Sequence, residues 1–416
     1  MKSERTSPVV SRDSSSGVSA RRPCKQWRPS TLALATLLGF AAVSIAAQAQ
    51  TLTVLHSFSG GVDGSFPSGL IRDEAGNLYG TTYYGGNYRR CNPPKASGCG
   101  TLFKIDANGN KTVLHNFTGG AEGGNPYSGV IRDAAGNLYG TTLIGGDLTC
   151  NNGLGCGIVF KLQAGGNFIV LYRFHPAPDA TGPGGLIQDP KGNLYGVSQS
   201  GGSGNIGAVF KLDTTGKETV LHSFTGGTDG AFPWVGVGVI RDPAGSLYGT
   251  TYLGGGDSAS IRGTAFKIDA AGKETVLHSF SGVPDGGLPH AGLIGDADGN
   301  LYGTTQVGGA FDFGTVFTLD KNANETVLYS FTGGADGGYP FGGLTRDSGG
   351  NLYGTTNMGT VFKLDSANHF TVVHTLSQAD GGSPYAGVIM DAEGNLYGTG
   401  TGGGAFGYGT VFKITP

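Results

Sequence analysis

The chain has 416 residues, 80 of them Gly, with 14% charged residues and a formal net charge of −3. Glycine at this level without a G-X-Y period excludes collagen, and its fixed offsets beside Phe, Tyr, Leu and Val mark punctuated strands instead of a disordered tract. So few charges also exclude an electrostatic tail or a basic nucleic-acid groove.

Met1–Ala49 differs from the rest. It is basic and Ser-rich up to Arg28, then apolar from Thr31 to Ala47, and Ala47-Gln48-Ala49 has the small-x-small form of a signal-peptidase site. Residues 1–49 read as an export signal with a long n-region, expected to be cleaved. The alternative is a retained membrane anchor, for which the apolar run is short and rich in Ala. The pair Arg21-Arg22 is followed by Pro-Cys-Lys, which suits a twin-arginine signal poorly. Residues 1–49 hold seven Lys/Arg and two Asp/Glu, so residues 50–416 keep 20 and 28, a net of −8. That sign is wrong for a phosphate backbone or an anionic membrane surface. The expected location is periplasmic or extracellular, with no stable transmembrane segment after cleavage.

Cys24 lies in the signal, ahead of its apolar run. Cys91, Cys99, Cys150 and Cys156 form two local pairs at matching positions of the first two repeats. Two loop disulfides, Cys91–Cys99 and Cys150–Cys156, are the economical reading for an exported chain. A zinc site made of all four is the alternative, but neither loop contains His and tight CxxC spacing is missing. No metal and no other cofactor is expected.

From residue 50 onward the phrase GNLYG, once as GSLYG, occurs seven times, beginning at Gly76, Gly136, Gly192, Gly245, Gly299, Gly350 and Gly394. Each copy sits among four short apolar runs. In the fifth repeat these are His290–Asp296, Gly299–Thr305, Gly314–Asp320 and Glu325–Phe331, here strands A to D. They are rich in Leu, Ile, Val, Tyr, Phe and Thr and bounded by Asp, Asn and Gly, as strands are. Asp-x-x-Gly-Asn joins A to B, a variable Gly-rich loop joins B to C, and a short turn joins C to D. One such sheet cannot cover both of its faces, but repetition about an axis covers them. The expectation is all-β: a seven-bladed β-propeller of four-stranded antiparallel blades, one domain of seven tandem repeats over residues 50–416.

The phase of the repeat adds to this. The chain opens after the signal with a lone strand D, Thr51–Phe58, and ends with A, B and C of a final unit, Gly387–Asp391, Asn395–Thr399 and Gly409–Ile414. The N-terminal strand is therefore expected to join the last blade and close the ring, removing two free edges. A linear β-solenoid is the alternative and has no use for a split unit.

Strand D carries Phe58, Phe117, Phe174, Phe224, Phe280 and Phe331, with Leu376 in the last copy. Two residues earlier stand His56, His115, His222, His278 and His374, with Tyr172 and Tyr329 in the other copies. Interchange with Tyr and spacing by whole repeats point to packing between blades and not to a metal array. The Tyr of each LYG, from Tyr79 and Tyr139 on, is expected to bond a neighbouring blade's backbone. The D–A loops read Gly-Gly-x-Asp-Gly-x-x-Pro, with Asp63, Asp229, Asp285, Asp336 and Asp380 at one position and Glu122 in the second copy. Local Asx-type turns explain these acids. A cation-binding acidic ring is the alternative, but no complete DxDxDG loop occurs.

In an up-and-down blade the B–C and D–A loops share one face, called upper here. All the length variation and both predicted disulfides lie there, which makes it the better binding face. The residue after the loop proline varies: Ser68, Tyr127, Gly184, Trp234, His290, Phe341 and Tyr385. Tyr127, Trp234, His290, Phe341 and Tyr385 are the candidate ligand-binding residues, five rings able to stack on sugars or grip a peptide. Alternatively they plug the channel mouth or pack between blades. In the third unit His175–Thr181 replaces the usual loop. No GxSxG elbow, HExxH, Walker loop or Cys–His pair occurs. His290 with Asp285 and Asp296 is the only local cluster with acid/base character. The expected function is a non-catalytic extracytoplasmic binding module for a glycan, a peptide or a surface protein. The alternatives are an extracellular hydrolase or lyase using the upper face, and a structural envelope or matrix protein. No nucleic-acid partner is expected, and the sequence does not fix an oligomeric state.

The phrases TVLHSFTGG (Thr219–Gly227), GGLTRD (Gly342–Asp347), GNLYGTT (Gly350–Thr356) and GTVFKLD (Gly359–Asp365) recur in fixed order across nearly all of residues 51–416. They resemble the GloVer tandem-repeat (choice-of-anchor) family of bacterial secreted and surface proteins. The turn D-x-x-GNLY is also similar to that of NHL and streptogramin-lyase-type β-propellers. The resemblance implies a secreted or surface repeat protein with no assigned activity and no catalytic residues to carry over. This chain departs from the family pattern by ending on the strand Gly409–Pro416 without an apolar tail, so it is expected to be soluble after export.

Overall fold

A computed structural model describes residues 50–87, 91, 97–236, 238–256 and 262–416. The expected export signal, residues 1–49, lies outside the described residues. Ser65–Arg72, Leu78–Tyr84, Thr101–Ile105 and Lys111–Asn116 form the first blade, an antiparallel sheet in the order A-B-C-D. Five further sheets repeat that order. The seventh is made of Ile389–Met390, Leu396–Gly400 and Thr410–Thr415, with the N-terminal strand Thr51–Ser57 beside them. Thr51 pairs with Thr415 and Ser57 with Thr410. The chain is thus a seven-bladed propeller closed by its N-terminal strand. Among the described residues helix is confined to three-residue 3-10 turns.

Strand C is buried on both faces because a neighbouring blade covers each side; in Thr360–Leu364 only Lys363 is partly exposed. The strand-D Phe of one blade packs edge-on against the strand-C Phe of the next. Ring centroids lie 5.3 Å apart in Phe58–Phe103, 5.2 Å in Phe117–Phe160, 5.0 Å in Phe174–Phe210 and 5.3 Å in Phe331–Phe362. Such edge contacts contribute roughly 0.5–1.5 kcal/mol each beyond burial. The glycine of LYG is required by this layer. A Cβ on Gly303 would sit 2.6 Å from Phe317 Cζ, and one on Gly140 2.6 Å from Phe160 Cζ.

The LYG tyrosines correct an expectation. Their hydroxyls donate to the aspartate of their own A–B turn and not to a neighbour's backbone: Tyr79 to Asp73 at 3.0 Å, Tyr139 to Asp133 at 2.9 Å, Tyr302 to Asp296 at 3.0 Å and Tyr397 to Asp391 at 2.9 Å. The hairpin folds the two positions together, and the carboxylate also accepts from the turn's Asn, as Asp73 does from Asn77 N at 2.8 Å. Burial pushes the Asp73 carboxyl up, but the Asn77 and Tyr79 donors outweigh it and hold it below the ordinary value.

Strand A is also shorter than its sequence pattern. Where His290–Asp296 was expected, only Ile294–Gly295 pairs with strand B. The first blade keeps a long strand A by skipping register between Pro67 and Leu70. The upper half of this strand has left the ladder to line the axis, where glycines let adjacent inner strands meet. A Cβ on Gly129 would lie 2.8 Å from Gly69 O, and one on Gly238 2.9 Å from Gly185 O.

Candidate functional site

Each D–A loop enters strand A through an X-Pro step, and X has a left-handed backbone in six copies: Phe66 (φ 60°), Asn125 (53°), Gly182 (62°), Phe232 (52°), Leu288 (54°) and Tyr339 (55°). Proline disfavours the α region in the residue before it, and a non-Gly residue held left-handed costs roughly 1–3 kcal/mol. Two contacts with the preceding blade hold it there. The X amide donates to a B–C loop carbonyl: Phe66 to Tyr408 at 3.1 Å, Asn125 to Cys99 at 2.7 Å, Gly182 to Cys156 at 3.0 Å, Leu288 to Arg262 at 2.6 Å and Tyr339 to Phe313 at 2.8 Å. The proline ring then covers the glycine that precedes strand C. A Cβ on Gly100 would lie 2.8 Å from Pro126 Cδ, on Gly263 2.7 Å from Pro289 Cδ and on Gly409 2.5 Å from Pro67 Cδ.

This joint aims the residue after the proline at the axis. Ser68, Tyr127, Trp234, His290, Phe341 and Tyr385 all line one cavity of about 270 Å³. All five ring residues singled out from the sequence are therefore brought together. Phe66 and Tyr83 add rings that the repeat pattern did not single out. With Tyr84 the rings form a closed circuit. Its centroid steps are Phe66–Tyr385 6.3 Å, Tyr385–Phe341 5.0 Å, Phe341–His290 4.3 Å and His290–Trp234 4.2 Å. The circuit continues Trp234–Tyr127 6.3 Å, Tyr127–Tyr83 5.6 Å, Tyr83–Tyr84 4.5 Å and Tyr84–Phe66 6.0 Å.

Among the described residues no Asp, Glu, Lys or Arg lines the cavity. His290 is 4% exposed and sandwiched between Trp234 and Phe341. Its Nδ1 lies 3.2 Å from Phe341 O, and a carbonyl only accepts, so Nδ1 carries the proton and Nε2 is the acceptor. Burial pushes its pKa down to about 4 against a smaller opposing effect of that carbonyl. The imidazole is neutral at neutral pH. Burial pushes the Tyr127 hydroxyl up to about 12, and Tyr83 in the same direction. Trp234 Nε1 is buried without a hydrogen bond of good geometry. The Trp234 N–H lies against the Tyr127 hydroxyl and works against that rise.

The acid/base cluster of His290 with Asp285 and Asp296 does not form. Asp285 lies 3.1 Å from His278 Nε2 and accepts from Ser281, while Asp296 accepts from Asn300 and Tyr302. The three are close in sequence but belong to the D–A loop, the inner strand and the A–B turn. The loop acids close their own turns, as Asp63 does by accepting from Ser59 N at 2.8 Å. They also hold the recurring His or Tyr of strand D: His56–Asp63 3.1 Å, His222–Asp229 3.3 Å, Tyr172–Asp179 2.9 Å and Tyr329–Asp336 2.9 Å. That polar role adds to the packing expected of the His/Tyr position. Cys91–Cys99 and Cys150–Cys156 are disulfides. Among the described residues no group of three or more His, Cys, Asp and Glu is placed to hold a metal ion.

No curated protein matches the sequence. In structure the chain is similar to the extracellular domain of BT3049 from B. thetaiotaomicron, at 14% identity and TM-score 0.55 over 88% of this chain and 41% of that one. It is similar to the extracellular domain of BT4673 from the same organism, at 13% identity and TM-score 0.56 over 87% and 39%. PorZ, a surface component of the type-IX secretion system of Porphyromonas gingivalis, matches at 13% identity and TM-score 0.53 over 86% and 48%. The chain thus spans less than half the length of each, and the likeness is one of fold. In sequence, the Gloeobacter/Verrucomicrobia repeat matches residues 41–154 and 147–359, and the chain belongs to that family.

Proposed function

We propose that this protein is a non-catalytic binding module that works outside the cytoplasm. Its ligand is a glycan, a peptide or a surface protein, taken at the upper face with the ring-lined cavity as anchoring pocket. The observation that carries this reading is the convergence of one variable repeat position. Strand and turn positions are nearly uniform between blades, whereas the residues after the loop prolines differ in kind, and all but Gly184 meet in one apolar cavity with a few polar atoms. The two disulfides support an oxidising compartment. Among the described residues the cavity has no acid/base pair: His290 is the one imidazole lining it, tied through Nδ1 to a backbone carbonyl, with no carboxylate beside it.

The test is binding of the full chain to glycan, peptidoglycan-fragment and peptide arrays beside Trp234→Ala. Loss of a central aromatic contact is expected to cost about 2 kcal/mol, roughly 30-fold in Kd. EDTA is expected to change nothing. A ligand held equally well by the variant would remove the cavity from the site, and binding abolished by EDTA would replace this reading with a metal-dependent one.

A further inference from the structure

Resting on the cavity being the binding pocket, we infer that its ligand is an uncharged sugar ring at the end of a glycan. A cavity of about 270 Å³ holds one ring or one side chain and no folded element. Small-ligand pockets run from about 300 Å³ upward, so this one sits at the small end. No charged side chain among the described residues lines it, and His290 is neutral. A uronate, a phosphosugar or a peptide terminus would enter with its charge unpaired, which is strongly unfavourable away from water.

The polar atoms decide between a sugar and an apolar side chain. His290 Nε2 is left as an acceptor by the bond at Nδ1, and its ring lines the cavity. Tyr83, Tyr127 and Tyr385 line the same cavity, each with a hydroxyl able to donate and accept. A Phe or Leu side chain would fill the volume but leave that acceptor unsatisfied, at roughly 1–3 kcal/mol for a buried polar group. A sugar offers C–H groups to the ring faces and hydroxyls that both donate and accept. Trp234, Phe341 and Tyr385 supply the apolar walls, and His290 supplies a hydrogen-bond acceptor.

The chain has two tryptophans, Trp27 and Trp234, so the difference in fluorescence between the full chain and its Trp234→Phe variant reports on the cavity. Neutral hexoses, N-acetylhexosamines and their disaccharides would be titrated beside glucuronate, galacturonate and Phe-containing tripeptides. The expected result is a saturable change with at least one neutral sugar, absent in Trp234→Phe. The matching uronate should bind at least tenfold more weakly, and His290→Phe should weaken the sugar at least fivefold with little change in thermal midpoint. A uronate equal to its neutral parent overturns the inference. Titration by tripeptides and by no sugar overturns it too, but leaves the cavity as a binding pocket. Silence from every probe overturns both.

Discussion

A left-handed residue before proline is strained, and Phe66, Phe232, Leu288 and Tyr339 accept that strain although each carries a large side chain. The amide bond to the preceding blade and the proline resting on a glycine there determine the geometry together. Glycine is needed at the receiving end for a reason of space as well as backbone. Gly314 has φ 96°, and an added Cβ would lie 2.3 Å from Thr305 O and 2.7 Å from Pro340 Cδ, whereas Gly109 has φ 85° with nothing within 4 Å. Gly314→Ala is therefore expected to lose about 3–4 kcal/mol in urea unfolding, and Gly109→Ala only about 1 kcal/mol. Equal losses would show that backbone conformation alone matters and that the close contacts with Thr305 and Pro340 add nothing.

At the scale of the element, the joints between blades share a frame but differ in charge. The first residue of strand D faces the loop acid of the preceding joint. It is Lys111 opposite Asp63, with Nζ 2.6 Å from the carboxylate, and it is Glu218, Glu274 and Glu325 near Asp179, Asp229 and Asp285. Oε1 is buried in each of these three glutamates, without a hydrogen bond in Glu274 and Glu325 and against the Asp179 carboxyl in Glu218. Burial and then the facing aspartate push Glu218 up to about 8 and Glu274 up to about 7. Glu325 is raised by burial first, with Asp285 raising it and His278 lowering it. A carboxyl with a raised folded-state pKa binds its proton more tightly in the folded chain. Its stabilising effect is whole below the unfolded value of 4.5 and is lost as pH rises toward 7 to 8. Glu218→Gln is expected to raise the thermal midpoint at pH 8 and to leave it nearly unchanged at pH 4.5. A shift of the same size at both values would mean that the effect is packing and not ionisation. The disulfides act on the same frame, because Cys99 and Cys156 supply the carbonyls that receive the amides of Asn125 and Gly182.

For the whole molecule, closure is decided where the last blade meets the first. The N-terminal strand fills the outer edge of the seventh sheet, and Phe58 packs on Phe103 at 5.3 Å. Phe66 N donates to Tyr408 O, Pro67 covers Gly409, and Thr399 Oγ1 donates to Ser68 O at 3.1 Å across 331 residues of chain. The Asp63–Lys111 ion pair with His56 is added to these. Deleting residues 51–58 should uncover Phe103 and a long strand edge. The expected outcome is a fall of more than 10 °C in thermal midpoint with loss of a single cooperative transition. An unchanged transition would show that the other contacts close the ring by themselves.

The seven GNLYG phrases and the split last unit were enough to derive the blade, the blade count and the closure, because strand period, turn chemistry and repeat phase are local properties of a chain. The rim position was legible for a related reason: Tyr127, Trp234, His290, Phe341 and Tyr385 interrupt a pattern that is otherwise uniform. Their convergence on one uncharged cavity, and the part taken in it by Phe66, Tyr83 and Tyr84, depend on how six blades turn their inner strands toward a common axis. Sequence proximity even misled: His290, Asp285 and Asp296 are neighbours along the chain, and a strand sends them to different parts of the blade. Local pattern determines a blade, but a site shared among blades is fixed only by the angle and contact at which each blade meets the next.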